Sequence, residues 1–84
     1  MRIPKNKIIK VYWLDHASNS EWNTITELKK WAKERYNFAC STIGTCIIDE
    51  KNYIVVSSEN DGDESLGNST LIMKSCIKKI EVIR

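Results

Sequence analysis

A stretch near the middle of the chain constrains the fold most strongly. Residues 40–58 read CSTIGTCIIDEKNYIVVSS, two runs rich in β-branched side chains on either side of the polar residues 49–52. β-branched residues favour strands, and a short polar interruption between two such runs is typical of a hairpin turn. We therefore expect an antiparallel hairpin. Gly44, inside its first strand, predicts a bulge or the close approach of another backbone segment.

A strand and a helix are predicted ahead of the hairpin. Residues 7–15 (KIIKVYWLD) carry apolar side chains on both faces, which indicates a central strand. Thr24 and Glu27 form the T-x-x-E capping box that starts a helix, and Asn37 supplies a stop in the left-handed conformation. Apolar residues recur between them at helical spacing, so we expect a helix that packs one face on the sheet.

The rest of the chain predicts two short strands after an acidic loop. Residues 59–69 (ENDGDESLGNS) contain four carboxylates and two glycines, which are typical of an exposed, mobile loop. Strands are expected at 70–73 and 78–83, with a tight connection at 74–77. The chain thus predicts one α+β, mainly β domain over residues 1–84, an SH3/Sm-like small five-stranded barrel with one helix inserted between strands 1 and 2. An open sheet with the helix across one face is the alternative.

The composition of the chain indicates where the protein is found but does not indicate its function. The formal net charge of +2 is too small to indicate a nucleic-acid protein, and no apolar run approaches the ~20 residues of a membrane span. The N-terminus lacks the apolar core of a signal peptide. We expect a soluble, cytoplasmic protein with no membrane partner. Cys40, Cys46 and Cys76, odd in number and without a C-x-x-C pair, are expected to be reduced and structural.

The sequence offers no motif for catalysis or metal binding. His16 follows Asp15, but neighbours on an extended chain point to opposite sides, and no G-x-S-x-G motif supplies a nucleophile. Cys40 and Cys46 are too far apart along one strand for a common zinc ion, and the acidic segment lacks the residue order of a calcium loop. We expect a protein that is not an enzyme and has no cofactor.

Residues 16–24 (HASNSEWNT) are the candidate binding site. Backbone N–H groups and the dipole at a helix N-terminus favour an anion, and Trp22 could stack on a flat group. The alternative is that Trp22 packs as a hydrophobic staple and the polar residues only cap the helix. The candidate ligand-binding residues are His16, Ser18, Asn19, Ser20, Trp22 and Thr24, with Arg35 to neutralise charge.

Three segments carry a resemblance to a known group of proteins. They are VYWLDHASNSEW near the start, CSTIGTCIIDEKNYIVVSS in the middle and LIMKSCIKKIEVI at the end. Together they resemble short accessory proteins of tailed bacteriophages, which tend to have Ile-Pro where this chain has Ile72-Met73. The resemblance implies a phage protein of the host bacterial cytoplasm. Among such proteins are counter-defence sponges that bind nucleotide immune signals, of the kind made by Thoeris or CBASS systems, without cleaving them.

These observations predict a non-enzymatic phage protein that sequesters a small anionic, nucleotide-derived signal. A chain of 84 residues leaves little room for an enclosed cavity, so a homo-oligomer is expected to build the site. One alternative is an SH3-like module that binds a host or phage protein. Another is a small barrel that binds single-stranded nucleic acid through its aromatic rings and basic termini, which the acidic segment makes less favoured.

Overall fold

The chain folds around one antiparallel sheet in this computed structural model, which describes residues 2–60 and 66–84. The sheet has five strands in the order β4-β3-β2-β1-β5. A helix, α1, lies between β1 and β2, and a turn of 3₁₀ helix joins β4 to β5. The elements are β1 (Ile9–Trp13), α1 (Ile25–Asn37), β2 (Cys40–Asp49), β3 (Tyr53–Asn60), β4 (Leu66–Met73), the 3₁₀ turn (Lys74–Cys76) and β5 (Ile77–Val82). The α+β, mainly β class is confirmed.

Strand β2 connects the two halves of the sheet. Its residues 40–44 pair with β1, and its residues 45–49 pair with β3. The predicted central position of β1 is confirmed, since β1 lies between β2 and β5. In the described residues no register joins β4 to β5, so these two strands form the edges of the sheet. Closure into an SH3/Sm-like barrel stays a prediction.

The predicted hairpin is present, and Gly44 explains how tightly its strands approach. A Cβ atom on Gly44 would lie 2.4 Å from the carbonyl oxygen of Ser57, closer than real atoms come. Close approach is therefore the role of this glycine, while the register shift of the hairpin lies between Cys46 and Ile48. The core beside it is formed by the buried side chains Ile3, Ile9, Val11, Cys46, Ile54, Val56 and Ile72.

The strands β3 and β4 extend into the segment expected to be a loop. Glu59 pairs with Gly67, and the Nδ2 atom of Asn68 donates to Oε1 of Glu59 at 2.6 Å. This side-chain bond and the small Gly67 continue the pairing, so the loop prediction is wrong for residues 59–60 and 66–69. Residues 61–65 of that prediction lie outside the described residues.

The helix does not pack on the sheet, and this part of the prediction is wrong. No residue of α1 is buried; Ile25 is 69% exposed and Tyr36 is 63% exposed. Phe38 and Ala39 link α1 to β2, and the Lys78 ammonium group donates to the carbonyl oxygen of Tyr36 at 3.1 Å, which ties the end of the helix to β5. The chain measures 53 × 23 × 23 Å, with a Cα radius of gyration of 15.8 Å. A compact chain of this length has a radius of about 12 Å.

The end of the helix also differs from the prediction. The helix does stop at Asn37, but Phe38 follows in extended conformation with φ −98°. Among the described residues other than glycine, positive φ angles occur at Asn6 and Asn68. The left-handed stop expected at Asn37 is therefore absent, because the chain passes directly into the approach to β2. Within the part of the chain that the structure describes, no helix has the length and apolar character to cross a membrane.

Candidate functional site

The start of α1 is closed by the predicted capping box. The backbone N–H of Glu27 donates to the Thr24 hydroxyl at 3.2 Å, and the backbone N–H of Thr24 donates to Oε1 of Glu27 at 2.9 Å. Hydrogen bonding to Thr24 lowers the pKa of the Glu27 carboxyl. The Thr24 backbone N–H has the larger effect and the Thr24 side chain the smaller. The helix N-terminus thus already holds a carboxylate of its own.

The middle of the candidate site forms part of a surface hollow. Ser18, Asn19 and Ser20 line a hollow of about 520 Å³ on the N-terminal side of α1. The Oδ1 atom of Asn19 accepts a bond from the backbone N–H of Glu21 at 2.9 Å, which orders this loop. The remaining lining residues are Glu21, Asn23, Glu27, Lys30, Trp31 and Glu34.

The charges around this hollow are mostly negative. Glu21, Glu27 and Glu34 contribute carboxylates, against the single ammonium group of Lys30. The Oδ1 atom of Asn23 is buried and has no hydrogen-bond partner within the described structure, which adds an acceptor rather than a donor. Carboxylates repel an anion. The predicted anionic-ligand site therefore stays a prediction and gains no electrostatic support from its surroundings.

The other candidate residues lie on different surfaces. His16 lines a second groove, of about 500 Å³, that reaches Tyr36 and Lys78. Arg35 lines a third, of about 250 Å³, and its guanidinium carbon lies 5.5 Å from the ring centroid of Phe38. The Trp22 side chain is fully exposed, so it is not the hydrophobic staple of the alternative interpretation. The structure thus distributes the seven candidates instead of bringing them together.

The groups considered for catalysis are engaged in local structure. The Asp15 carboxylate accepts a bond from the backbone N–H of His16 at 2.8 Å. Burial raises the pKa of the Cys46 thiol, which disfavours the reactive thiolate. All three cysteines are free; Cys46 is buried, whereas Cys40 and Cys76 are half-buried. No three His, Cys, Asp or Glu side chains gather as a metal site in the residues that the structure describes.

A tyrosine and two lysines on the outer side of β1 and β5 bear on the nucleic-acid alternative. The ammonium groups of Lys10 and Lys79 lie 5.0 Å and 5.6 Å from the Tyr12 ring centroid. Glu81 binds Lys79 at 2.8 Å and accepts from the Tyr12 hydroxyl at 3.4 Å. This carboxylate already neutralises part of the positive charge. Nucleic-acid binding stays a prediction and remains less favoured.

The main surface feature that the sequence prediction missed is the exposed apolar side of α1. Ile25, Leu28, Ala32 and Tyr36 share one side of the helix by their spacing, and all four are exposed. We call these four residues the apolar helix face. The sequence shows this spacing, but the spacing does not predict that the sheet leaves the apolar helix face uncovered.

Basic residues border the apolar helix face. Lys29 and Lys33 continue the row of residues, four apart, that begins at Ile25, and Arg35 lies on the opposite border. Glu27 and Glu34 lie on the far side of the helix. The face therefore combines apolar contact area with a positive rim.

Comparison with known proteins adds no relative. No protein-family model matches the chain, and neither the curated proteins nor the solved structures give a significant match. The resemblance to bacteriophage accessory proteins therefore stays a prediction, as does the function that it implies.

Proposed function

We propose that this chain is a non-enzymatic protein-interaction module that binds its partner through the apolar helix face. The observation that carries the proposal is the exposure of Ile25, Leu28 and Tyr36 on one side of a capped, ordered helix. Fully burying an exposed leucine or isoleucine side chain contributes about 1.5–3 kcal/mol; Leu28 is 37% exposed, so it would contribute only a part of this free energy. An amphipathic helix that lays its apolar side into a groove is an established mode of protein recognition.

The charges bordering the face specify the partner's chemistry. Helix α1 carries Lys29, Lys30, Lys33 and Arg35 against Glu27 and Glu34, a net charge of +2. A partner surface that is apolar at its centre and carries carboxylates at its rim complements this arrangement. The occupant that we propose is therefore an acidic, apolar groove or helix of another protein.

A second copy of α1 fits this face poorly. In an antiparallel pair related by a two-fold axis, Lys29 and Lys33 of both copies would lie on the same side of the pair and repel each other. In a parallel pair they would face Arg35. Neither arrangement offers the lysines a carboxylate, so charge favours a different protein.

We further propose that the sheet is a small, partly open barrel of the SH3 type that carries the helix and leaves β4 and β5 unpaired with each other. Three observations support this interpretation. Strand β2 pairs with β1 through its first half and with β3 through its second half, the strand order is β4-β3-β2-β1-β5, and a 3₁₀ turn precedes β5. Such a barrel is a rigid scaffold, and binding elements are commonly placed between its strands. The partner would be a host or phage protein in the bacterial cytoplasm.

Site-specific photo-crosslinking tests the proposal. A photo-reactive amino acid in place of Leu28 should crosslink to a partner protein in phage-infected host cells, at a partner position close to carboxylates. The same group in place of Lys30, on the opposite side of the helix, serves as the matched control. The crosslink should be lost with Lys29→Glu/Lys33→Glu. Equal crosslinking from positions 28 and 30, or crosslinks that persist after charge reversal, would contradict the proposal.

The nucleotide sponge is the second candidate, supported by the hollow that Ser18, Asn19 and Ser20 do share. It predicts that a cyclic nucleotide or ADP-ribose-type compound raises the melting temperature and is recovered intact after heat denaturation. A ligand at 100 times its dissociation constant adds about 2.7 kcal/mol to the free energy of unfolding. Asn19→Ala should abolish that shift. An absent thermal shift across the nucleotide panel, or a chemically altered ligand, would reject this candidate.

A further inference from the structure

From Ser69 to Met73, after the left-handed residue Asn68 (φ 50°), the edge strand β4 lacks the features that usually prevent edges from pairing. Its sequence, LGNSTLIM, contains no charged residue and no proline over eight residues. The other edge, β5, reads IKKIEV and is guarded by Lys78, Lys79 and Glu81. Natural sheets use such charges to prevent edge-to-edge association. Strand β4 is therefore the edge open to pairing.

The backbone of β4 offers regularly spaced hydrogen-bonding groups along this edge. The backbone N–H of Lys74 donates to the carbonyl oxygen of Asn52 at 2.9 Å, so Lys74 faces β3. Backbone groups in an antiparallel strand alternate in direction, so the N–H and C=O groups of Ser69, Leu71 and Met73 point away from β3. Among the described residues no strand pairs with these groups, and we call them the free edge.

The same residues carry exposed apolar side chains. Leu71 is 57% exposed and Met73 is 49% exposed. The register places Leu71 beside Val55 and Met73 beside Tyr53, with Ile48 next along the row after Val55. We call these five residues the outer sheet patch. It adjoins the free edge and would be extended by a strand added there.

We propose that β4 pairs antiparallel with β4 of a second copy, with the two-fold axis at Leu71. In this register Leu71 lies opposite Leu71 of the second copy, and Ser69 lies opposite Met73. All three outward-facing residues then exchange bonds, about six in total across the axis. The two outer sheet patches become one continuous apolar surface. The pairing is isologous and uses both free edges, so it closes as a dimer.

Charge supports a second copy as the occupant. An uncharged strand can meet itself without like-charge repulsion, in contrast to the lysine row of α1. Lys74, which follows the strand, is paired with Asp49 of its own chain at 2.7 Å, so it brings no uncompensated charge to the pairing of the two copies. This surface is separate from the apolar helix face.

Charge variants at the axis test the dimer. The wild-type chain should sediment as a dimer, whereas Leu71→Lys and Leu71→Glu should each sediment as monomers, since each places like charges opposite one another. An equimolar mixture of the two variants should restore the dimer. Ile43→Lys, an exposed substitution on β2 outside the patch, is the matched control and should remain dimeric. A monomeric wild type, or dimers in both single variants, would overturn the proposal.

Hydrogen exchange gives a second test that needs no variant. The amide of Leu71 should become more protected as the protein concentration rises, while the amide of Ile54 in the core stays equally protected throughout. Exchange at Leu71 that is independent of concentration would overturn the proposal. Neither experiment involves the helix face, so failure of the dimer and failure of the proposed interaction function are distinguishable.

Discussion

The ammonium group of Lys78 donates a hydrogen bond to the main-chain carbonyl of Tyr36 at 3.1 Å and lies 4.8 Å from the centroid of the same residue's ring. This contact joins β5 to the last turn of α1. A cation at a helix C-terminus also interacts favourably with the helix dipole. The contact therefore helps to hold the helix where it projects from the end of the sheet: Lys78 lies against Tyr36 at one end of the apolar helix face, and Ile25 and Leu28 are exposed at the other.

Removing this contact should loosen the end of the helix. Lys78→Met keeps the apolar stem but loses the donor and the charge, and a cation–π contact at an exposed site is worth about 0.5–1 kcal/mol. We expect faster hydrogen exchange at residues 34–37. Lys51→Met, in the exposed turn of the hairpin, is the control and should leave these amides unchanged. Unchanged exchange in Lys78→Met would show that the contact is not used.

The capping box should be required for the stability of α1. Thr24→Ala removes the hydroxyl that accepts the Glu27 N–H, at a cost of about 1 kcal/mol to the helix. Because α1 is not supported by burial in the sheet, circular dichroism should report this cost as a loss of helix content. Thr26→Ala, two residues further on in the first turn at a position that makes neither hydrogen bond of the box, is the control and should retain or increase helicity. Equal helicity in the two variants would contradict this prediction.

The same box should make helix content sensitive to acid. The folded-state pKa of Glu27 lies below its unfolded value, so the ionised carboxylate stabilises α1 above about pH 4.3. That stabilisation is lost as the pH falls through the lowered folded-state pKa. Helicity of the wild type should decline there, and Glu27→Gln should flatten the decline. Glu34→Gln leaves the box intact and should keep the wild-type response; an identical decline in all three would refute the assignment.

The close approach at Gly44 should make a single methyl group costly. In Gly44→Ala the new Cβ meets the backbone of Ser57, which cannot move without shifting the strand, so we expect a loss of about 1–3 kcal/mol in the free energy of unfolding. In Gly67→Ala the nearest atoms, at 3.1 Å and beyond, belong to the flexible Glu59 side chain. Urea denaturation should therefore show a much smaller loss for Gly67→Ala. Similar losses at the two positions would contradict the packing described.

The sequence predicted the features that depend on local pattern. The β-branched runs around residues 49–52 predicted the hairpin, and Thr24 with Glu27 predicted the helix start. The position of the helix could not be predicted in this way, because amphipathic spacing shows which side of a helix is apolar but not what covers it. The contact of Lys78 with Tyr36 contributes to that position, and it joins residues 42 apart in the chain, which a local pattern does not show.

The candidate site was predicted less well than the fold, for a similar reason. Ser18, Asn19 and Ser20 share one hollow, but Arg35 and Trp22 lie elsewhere. The direction in which each side chain points depends on the backbone conformation of the loop and of the helix start, and the presence of polar residues does not determine that conformation. The acidic character of the hollow arises from Glu21 in the loop and from Glu27 and Glu34, which lie about half a turn and two and a half turns after the start of α1. The sequence-based prediction considered the groups that would attract an anion and did not consider these carboxylates.

The central claim is that α1 projects from the sheet and does not pack on it. Small-angle X-ray scattering of the Leu71→Lys variant tests this claim most directly, because the two arrangements differ in radius of gyration. The substitution removes any contribution from pairing at β4. We predict an elongated monomer with a radius of gyration close to the 15.8 Å of the Cα trace and a longest dimension near 53 Å. A compact monomer with a radius near the roughly 12 Å expected of a globular chain of this length would show that the helix packs on the sheet and would contradict the account.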